Sequence, residues 1–180
     1  MHLDHTGSLI DLLSNNISNN RNISIYLPLS ASTRDIKQIL SFGVIDQKIH
    51  VVSRSQKIID SFYSTGSLGG FIKEQSLIVD TKKGLVIITG CAHPGIVHIV
   101  NTSLKLFSKK PLLVLGGFHL FNKDKREISK IIDRFKEMQV KYVAPCHCSG
   151  DNAKALFKKE YKDHYIQCGT GKVISTSNLI

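Results

Sequence analysis

Tryptophan is absent from this 180-residue chain, and aromatic residues make up only 7% of it. A stacking platform for single-stranded nucleic acid therefore has little to be built from. Cysteine is scarce as well: Cys91, Cys146, Cys148 and Cys168 are all there are. A chain of this length with so few thiols is no disulfide scaffold, and Cys146-x-Cys148 is too tight a spacing for a comfortable mutual bridge. No apolar run approaches the length of a membrane-spanning helix. The polar, acidic start also lacks the apolar stretch of a secretory signal, so a cytoplasmic location is the simplest expectation. Acidic residues are the last shortage: 14 Asp and Glu stand against 24 Lys and Arg, a net charge of +10. That excess calls for an anionic partner. The lysines alternate with Glu and Asp across residues 123–136 and 154–162, as on solvated helix faces. A phosphate- or carboxylate-bearing small molecule is therefore preferred over nucleic acid, and no membrane partner is expected.

What remains is an ordinary globular composition, 42% hydrophobic and 21% charged. It suffices for one domain with a real core. No internal repeat, low-complexity segment or domain boundary interrupts residues 1–180. The patterning alternates helices and strands. Short helices are expected over 7–16, 33–42 and 151–161, and longer ones from Pro94 to about Phe107 and over 124–138. The last carries an apolar stripe of Ile128, Ile131, Ile132, Phe135 and Met138. Strands are expected over 23–27, 48–53, 57–63, 112–115, 142–144 and 165–168. Residues 76–80 and 85–89 read as a hairpin around Lys82-Lys83-Gly84. Residues 15–22 and 64–70 read as loops.

The chemistry lies in the histidines. Met1-His2-Leu3-Asp4-His5-Thr6-Gly7 packs two imidazoles and a carboxylate into four positions, donors that suit Zn, Mn or Fe. So close a set is expected on one sharp strand-to-helix connection, with Thr6 as helix N-cap and Gly7 allowing close backbone approach. Three more apolar, strand-like runs end in a histidine followed by a turn: 87–96 at His93, 112–120 at His119 and 142–150 at His147. A sheet edge delivers ligands into one cleft in this way. The helix opening after His93 would aim free backbone N–H groups at the same cleft, a natural place for an anionic group. His50, His98 and His164 have no such context and are expected to be ordinary. Cys91, Cys146 and Cys148 flank expected ligands. A thiolate role near a metal is open to them, with packing beside a site the simpler reading.

This ordered set resembles the metallo-β-lactamase superfamily, specifically the branch that includes the methanopterin-precursor (dihydropterin-ribofuranosylaminobenzene phosphate) synthase-like proteins. The strings that carry the resemblance are His2-x-Asp4-His5-Thr6-Gly7, Gly90-Cys91-Ala92-His93-Pro94-Gly95-Ile96, Gly116-Gly117-Phe118-His119-Leu120 and Pro145-Cys146-His147-Cys148-Ser149-Gly150. The stretch 73–79 leading into 84–86 also fits. The resemblance implies an α/β (α+β) fold, the αββα sandwich of two sheets with helices outside. It implies metal ligands at His2, Asp4, His5, His93, His119 and His147 and a catalytic role for Asp4. One or two divalent ions would bind, Zn first, with Mn or Fe as alternatives. In the superfamily pattern the first metal takes a leading His together with His2 and His93, and the second takes Asp4, His5 and His147. His119 stands where the superfamily usually has a bridging Asp.

The leading His of the first motif would fall before Met1, so the expectation is a domain lacking its N-terminal strands and impaired in that form. A homo-oligomer or an N-terminal partner segment could then complete it. The resemblance implies a metal-dependent hydrolase acting on an anionic, phosphate-containing small molecule through a metal-activated water. The alternatives are a non-catalytic metal-binding or split-gene fragment, or a nuclease of the same superfamily.

Overall fold

A computed structural model describes residues 3–15 and 22–179, with side chains from residue 5 onward in the first stretch. The chain falls into two compact units, residues 1–53 and 54–180.

The first unit holds α1 (Leu3–Asn15), β1 (Ile25–Pro28), α2 (Thr33–Ser41) and β2 (Ile49–Val52). β1 and β2 pair in parallel, Ile25 opposite Ile49. Parallel neighbours need a crossover, and α2 supplies it. Ser32 caps α2 in a reciprocal box with Asp35, whose carboxyl is held below its ordinary range by the backbone and side-chain hydrogen bonds from Ser32. Leu13, Ile25, Leu27, Ile39 and Val44 form the unit's core. α1 begins earlier than the pattern suggests, so Asp4 and His5 lie in its first turn and not on a sharp connection. Thr6 is a helical residue and not the N-cap. No proline interrupts the segment, and burial of Leu13 with Leu9 packed beside it rewards a helix through Gly7.

The second unit is built on one six-stranded sheet, in sequence order from β3 to β8: β3 (Arg54–Ile59), β4 (Phe62–Gly66), β5 (Leu77–Thr81), β6 (Gly84–Thr89), β7 (Pro111–Gly117) and β8 (Tyr142–Cys146). The pattern over 57–63 reads as one strand. The structure makes a hairpin there, turning at Asp60-Ser61 with Ser61 at φ +67°. Alternation cannot reveal a turn lacking Gly or Pro, and Ser61 accepts the left-handed conformation without either. β3 to β6 are antiparallel, and β6, β7 and β8 are parallel. The parallel strands are joined by α3 (Ile96–Leu106) and α4 (Lys125–Glu137), and α5 (Asp151–Tyr161) follows β8. The expected closing strand over 165–168 is reduced to a single parallel bridge, Val143 opposite Tyr165.

Side chains alternate across this sheet. Leu85, Ile87, Val114 and Val143 face a core shared with Ile99, Ile128, Ile132, Phe135 and Phe157 of the helices. Val86, Leu113, Tyr142 and Ala144 face a second cluster closed by Ile166, Cys168, Ile174 and Leu179. Burial on both faces explains why these strands read as continuous apolar runs. Asp124 caps α4 in a reciprocal box with Glu127, and the expected stripe of that helix turns inward.

Crowding at the C-terminal end of β7 is extreme. A Cβ on Gly116 would sit 2.2 Å from the Thr89 carbonyl oxygen, and Gly116 has φ +122°. A Cβ on Gly117 would meet the Gly90 oxygen at 2.3 Å and Cys148 Sγ at 2.8 Å. Gly7, in contrast, has nothing within 4 Å of such an atom. Gly116→Ala is therefore expected to destabilise the protein by about 2 kcal/mol or more. Gly7→Ala is expected to stabilise it by roughly 0.5–1 kcal/mol as a helix-interior replacement. Urea unfolding midpoints of the two variants should move in opposite directions.

Candidate metal centre

His93, His119 and His147 all follow the C-terminal ends of the three parallel strands, where open α/β sheets place their ligands. Each is set by local backbone constraint. Ala92, immediately before His93, has φ +63°, His119 itself φ +52° and His147 φ +50°. Such values in non-glycine residues cost energy and persist where surrounding structure dictates them. The bracing is visible. Ser149 Oγ accepts the Phe118 N–H at 3.1 Å and donates to the Cys146 carbonyl at 2.6 Å, tying the turn before His119 to the one before His147. Thr89 Oγ1 donates to the Gly117 carbonyl at 2.9 Å, tying the end of β6 to that of β7.

His93 is the most strongly held of the three. Glu74 accepts its backbone N–H at 3.1 Å through one carboxylate oxygen and makes a short contact to its Nδ1 through the other. Both side chains are about four-fifths buried. With the Nδ1 proton directed at Glu74, Nε2 becomes the nitrogen that can face a cation. Glu74 is itself positioned by backbone pairing with Leu68, N to O at 2.9 Å and O to N at 2.7 Å. Gly69 permits that loop: at φ +102°, a Cβ there would lie 2.4 Å from the Ile72 carbonyl oxygen.

Donor atoms of Glu74, Cys91 and His93 all lie within 4.8 Å of one another, and Cys91 Sγ is equally close to a ring nitrogen of His147. The rings of His93 and His119 meet at 4.3 Å between centroids. Phe121 abuts the His119 ring edge-on at 5.2 Å. Thus His93, His119 and His147 converge, as the strand-then-histidine pattern predicts. Glu74 joins them without having been singled out. It lies 19 residues before His93 with no motif spacing to it, and the loop fold alone brings the two together.

His5 is exposed on α1 in the first unit. Asp4 lies on the same helix with its side chain outside the described residues, and His2 lies outside them altogether. His164 is exposed as a surface residue, and so is His98, whereas His50, also expected at the surface, is partly buried and stacks on Tyr26 at 4.7 Å.

The residues present fit a divalent cation. Imidazole nitrogen, carboxylate oxygen and thiol sulfur are the donors Zn prefers. His119 Nδ1 is buried and has no hydrogen-bond partner among the described residues. A buried nitrogen left in this way costs free energy that a metal bond would recover. Burial, with His93 beside it second, pushes the His119 imidazole below the usual histidine value, while Glu74 pulls the other way. A neutral ring is the form that ligates.

Comparison with known proteins supports the same assignment. No family model matches the chain. The 7,8-dihydropterin-6-methyl-4-(β-D-ribofuranosyl)-aminobenzene-5'-phosphate synthase of Methanocaldococcus jannaschii is 39% identical over 102 residues, 56% of this chain and 35% of that protein. An uncharacterized protein of the same archaeon is 37% identical over 89 residues, 49% of this chain and 33% of its own length. The matched stretch is thus about a third of the length of either curated relative. A crystal structure of a metal-dependent hydrolase of the β-lactamase superfamily superposes with a TM-score of 0.66 at 31% identity, covering 77% of this chain and 61% of the other.

The His119 shift has a testable cause. In metal-free protein, NMR titration should find His119 below the ordinary histidine value of 6.5, and His93→Gln should move it upward. Because the folded value is depressed, the unfolded chain binds more protons just below 6.5, so this group makes stability fall as pH drops through that window. An unmoved His119 in the variant would remove His93 as a cause. The fold is that of the metallo-β-lactamase superfamily, and over 102 residues the sequence is similar to the dihydropterin-ribofuranosylaminobenzene phosphate synthase.

Proposed function

We propose that this chain is a metal-dependent hydrolase-type domain acting on an anionic, phosphate-containing small molecule. The observation that carries the reading is the His93–His119 pair with its buried, unpartnered His119 nitrogen, set beside Cys91 and the Glu74 carboxylate. His93, His119 and His147 would hold the cation, with His2, Asp4 and His5 as the further donors the superfamily pattern supplies. Bound there, a divalent cation would supply Lewis acidity and lower the pKa of a coordinated water.

The chain's own residues do the positioning. Glu74 holds His93 at its backbone N–H and at its ring Nδ1, which opposes rotation of the imidazole. α3 opens just beyond His93, with Gly95 as its N-cap, and its first N–H groups and dipole favour an anionic group there. Phe121 covers one edge of His119 and helps to keep water from it. The formal charge of +10 favours approach of an anion. The synthase relative is named for a phosphate compound, which supports a phosphate-bearing substrate over a neutral one. Zn is the preferred ion on donor type, with Mn or Fe as alternatives.

Zinc titration of the chelator-treated protein tests this reading. His93→Ala and His119→Ala should each abolish tight binding, and Glu74→Gln should weaken it by about 10–100-fold while leaving the ligands in place. The same variants should lose turnover of a nitrophenyl phosphate ester assayed with added Zn or Mn. Zinc affinity indifferent to both histidines would end the proposal.

A further inference from the structure

Beyond the candidate metal centre, the fold brings near one another two thiols that the proposed activity does not use. The segment after α5 runs beside β8 with a constant offset of 22 residues. The ring of His164 meets that of Tyr142 edge-on at 4.9 Å between centroids. Tyr165 bridges Val143 in parallel, and the Ile166 N–H donates to the Val143 carbonyl at 2.8 Å. Carried forward at the same offset, the register sets Cys168 opposite Cys146. Aligned residues of parallel strands project to the same face. Tyr142 and Ala144, the residues of Cys146's parity on β8, face the cluster that Ile166 and Cys168 help to close. Burial first, with Cys168 next, raises the Cys146 thiol, and burial first, with Cys146 and Cys168 next, raises the Tyr165 phenol, as groups near one another would. Both are free thiols and only half-buried.

We infer that Cys146 and Cys168 form a redox-active pair, which a peroxide converts to an intrachain disulfide clamping the C-terminal segment to β8. Neighbouring strands place aligned Cα atoms about 4.8 Å apart, inside the roughly 4.4–6.8 Å that a disulfide spans. The chemistry balances with hydrogen peroxide as two-electron oxidant. One sulfur attacks a peroxide oxygen, the O–O bond breaks and water leaves, giving a sulfenic acid. The second sulfur then attacks the first, the S–S bond forms, the S–O bond breaks and a second water leaves. Two thiol protons end in the two waters, and the electrons reduce the peroxide. Cys146 directly precedes His147 in the chain, so the clamp would sit one residue from a candidate ligand.

Cys91 and Cys148 are the competing thiols. Cys148 Sγ approaches Cys91, but through the backbone carbonyl, at 3.4 Å. The test treats the reduced, metal-free full chain with hydrogen peroxide, counts thiols, alkylates the remainder in denaturant and maps peptides without reduction. The free thiol count should fall from four per chain to two and recover with dithiothreitol. Fragmentation should place the bond between Cys146 and Cys168, with Cys91 and Cys148 alkylated. Cys168→Ser should lose no reversible thiol pair under the same treatment. A bond joining Cys148 to Cys91 or to Cys146 would overturn the inference, and so would oxidation that stops at sulfinic acid with no bridge.

Discussion

One carboxylate organises the candidate metal centre. Glu74 grips His93 at its backbone and at its ring, and without it the imidazole would be one rotatable side chain at a strand end. Held this way, His93 presents a defined face to His119 and to Cys91, and its proximity helps keep His119 neutral. The grip depends on a loop whose backbone pairs with itself at Leu68 and Glu74 and whose turn tolerates only glycine at position 69. Two elements with no sequence relation thus fix one ligand's orientation.

The parallel strands supply the other constraint. β6, β7 and β8 end side by side, so the turns after them crowd into one place. Gly116 and Gly117 let those backbones approach within distances that any side chain would forbid. Ser149 and Thr89 then cross-link the turns with hydrogen bonds. Strained backbone at Ala92, His119 and His147 is sustained by this bracing at the ends of the three strands. Rigid support of this kind is what a metal site requires of its scaffold. On the opposite face of the same sheet, the returning C-terminal segment shares the register of β8 and brings Cys168 beside Cys146.

Much of this was legible in the residues. Apolar runs ending at His93, His119 and His147 pointed to strands delivering ligands, and all three do follow parallel strands. The stripe of α4, the hairpin around Lys82-Lys83-Gly84 and the helix over 33–42 were readable from local pattern. Other features were not. The start of α1 was misplaced because Thr6 looks like a cap, whereas packing around Leu13 carries the helix further back. The β3–β4 hairpin was missed because Ser61 turns the chain without a glycine.

The sequence by itself determined the donor types, the alternation of strands and helices around the three histidine turns, the apolar faces and the excess of positive charge. Each follows from residue identity and periodicity, which are local properties of the chain. Only the tertiary structure decided that Glu74 holds His93, that His119 is left with a buried nitrogen lacking a partner among the described residues, and that the segment carrying Cys168 returns beside β8, 22 residues on, with Tyr165 opposite Val143. Those facts join residues 19 and 22 positions apart, or depend on what surrounds a single atom. Loop closure and strand register set such distances, and neither is written in the spacing of the residues they bring together.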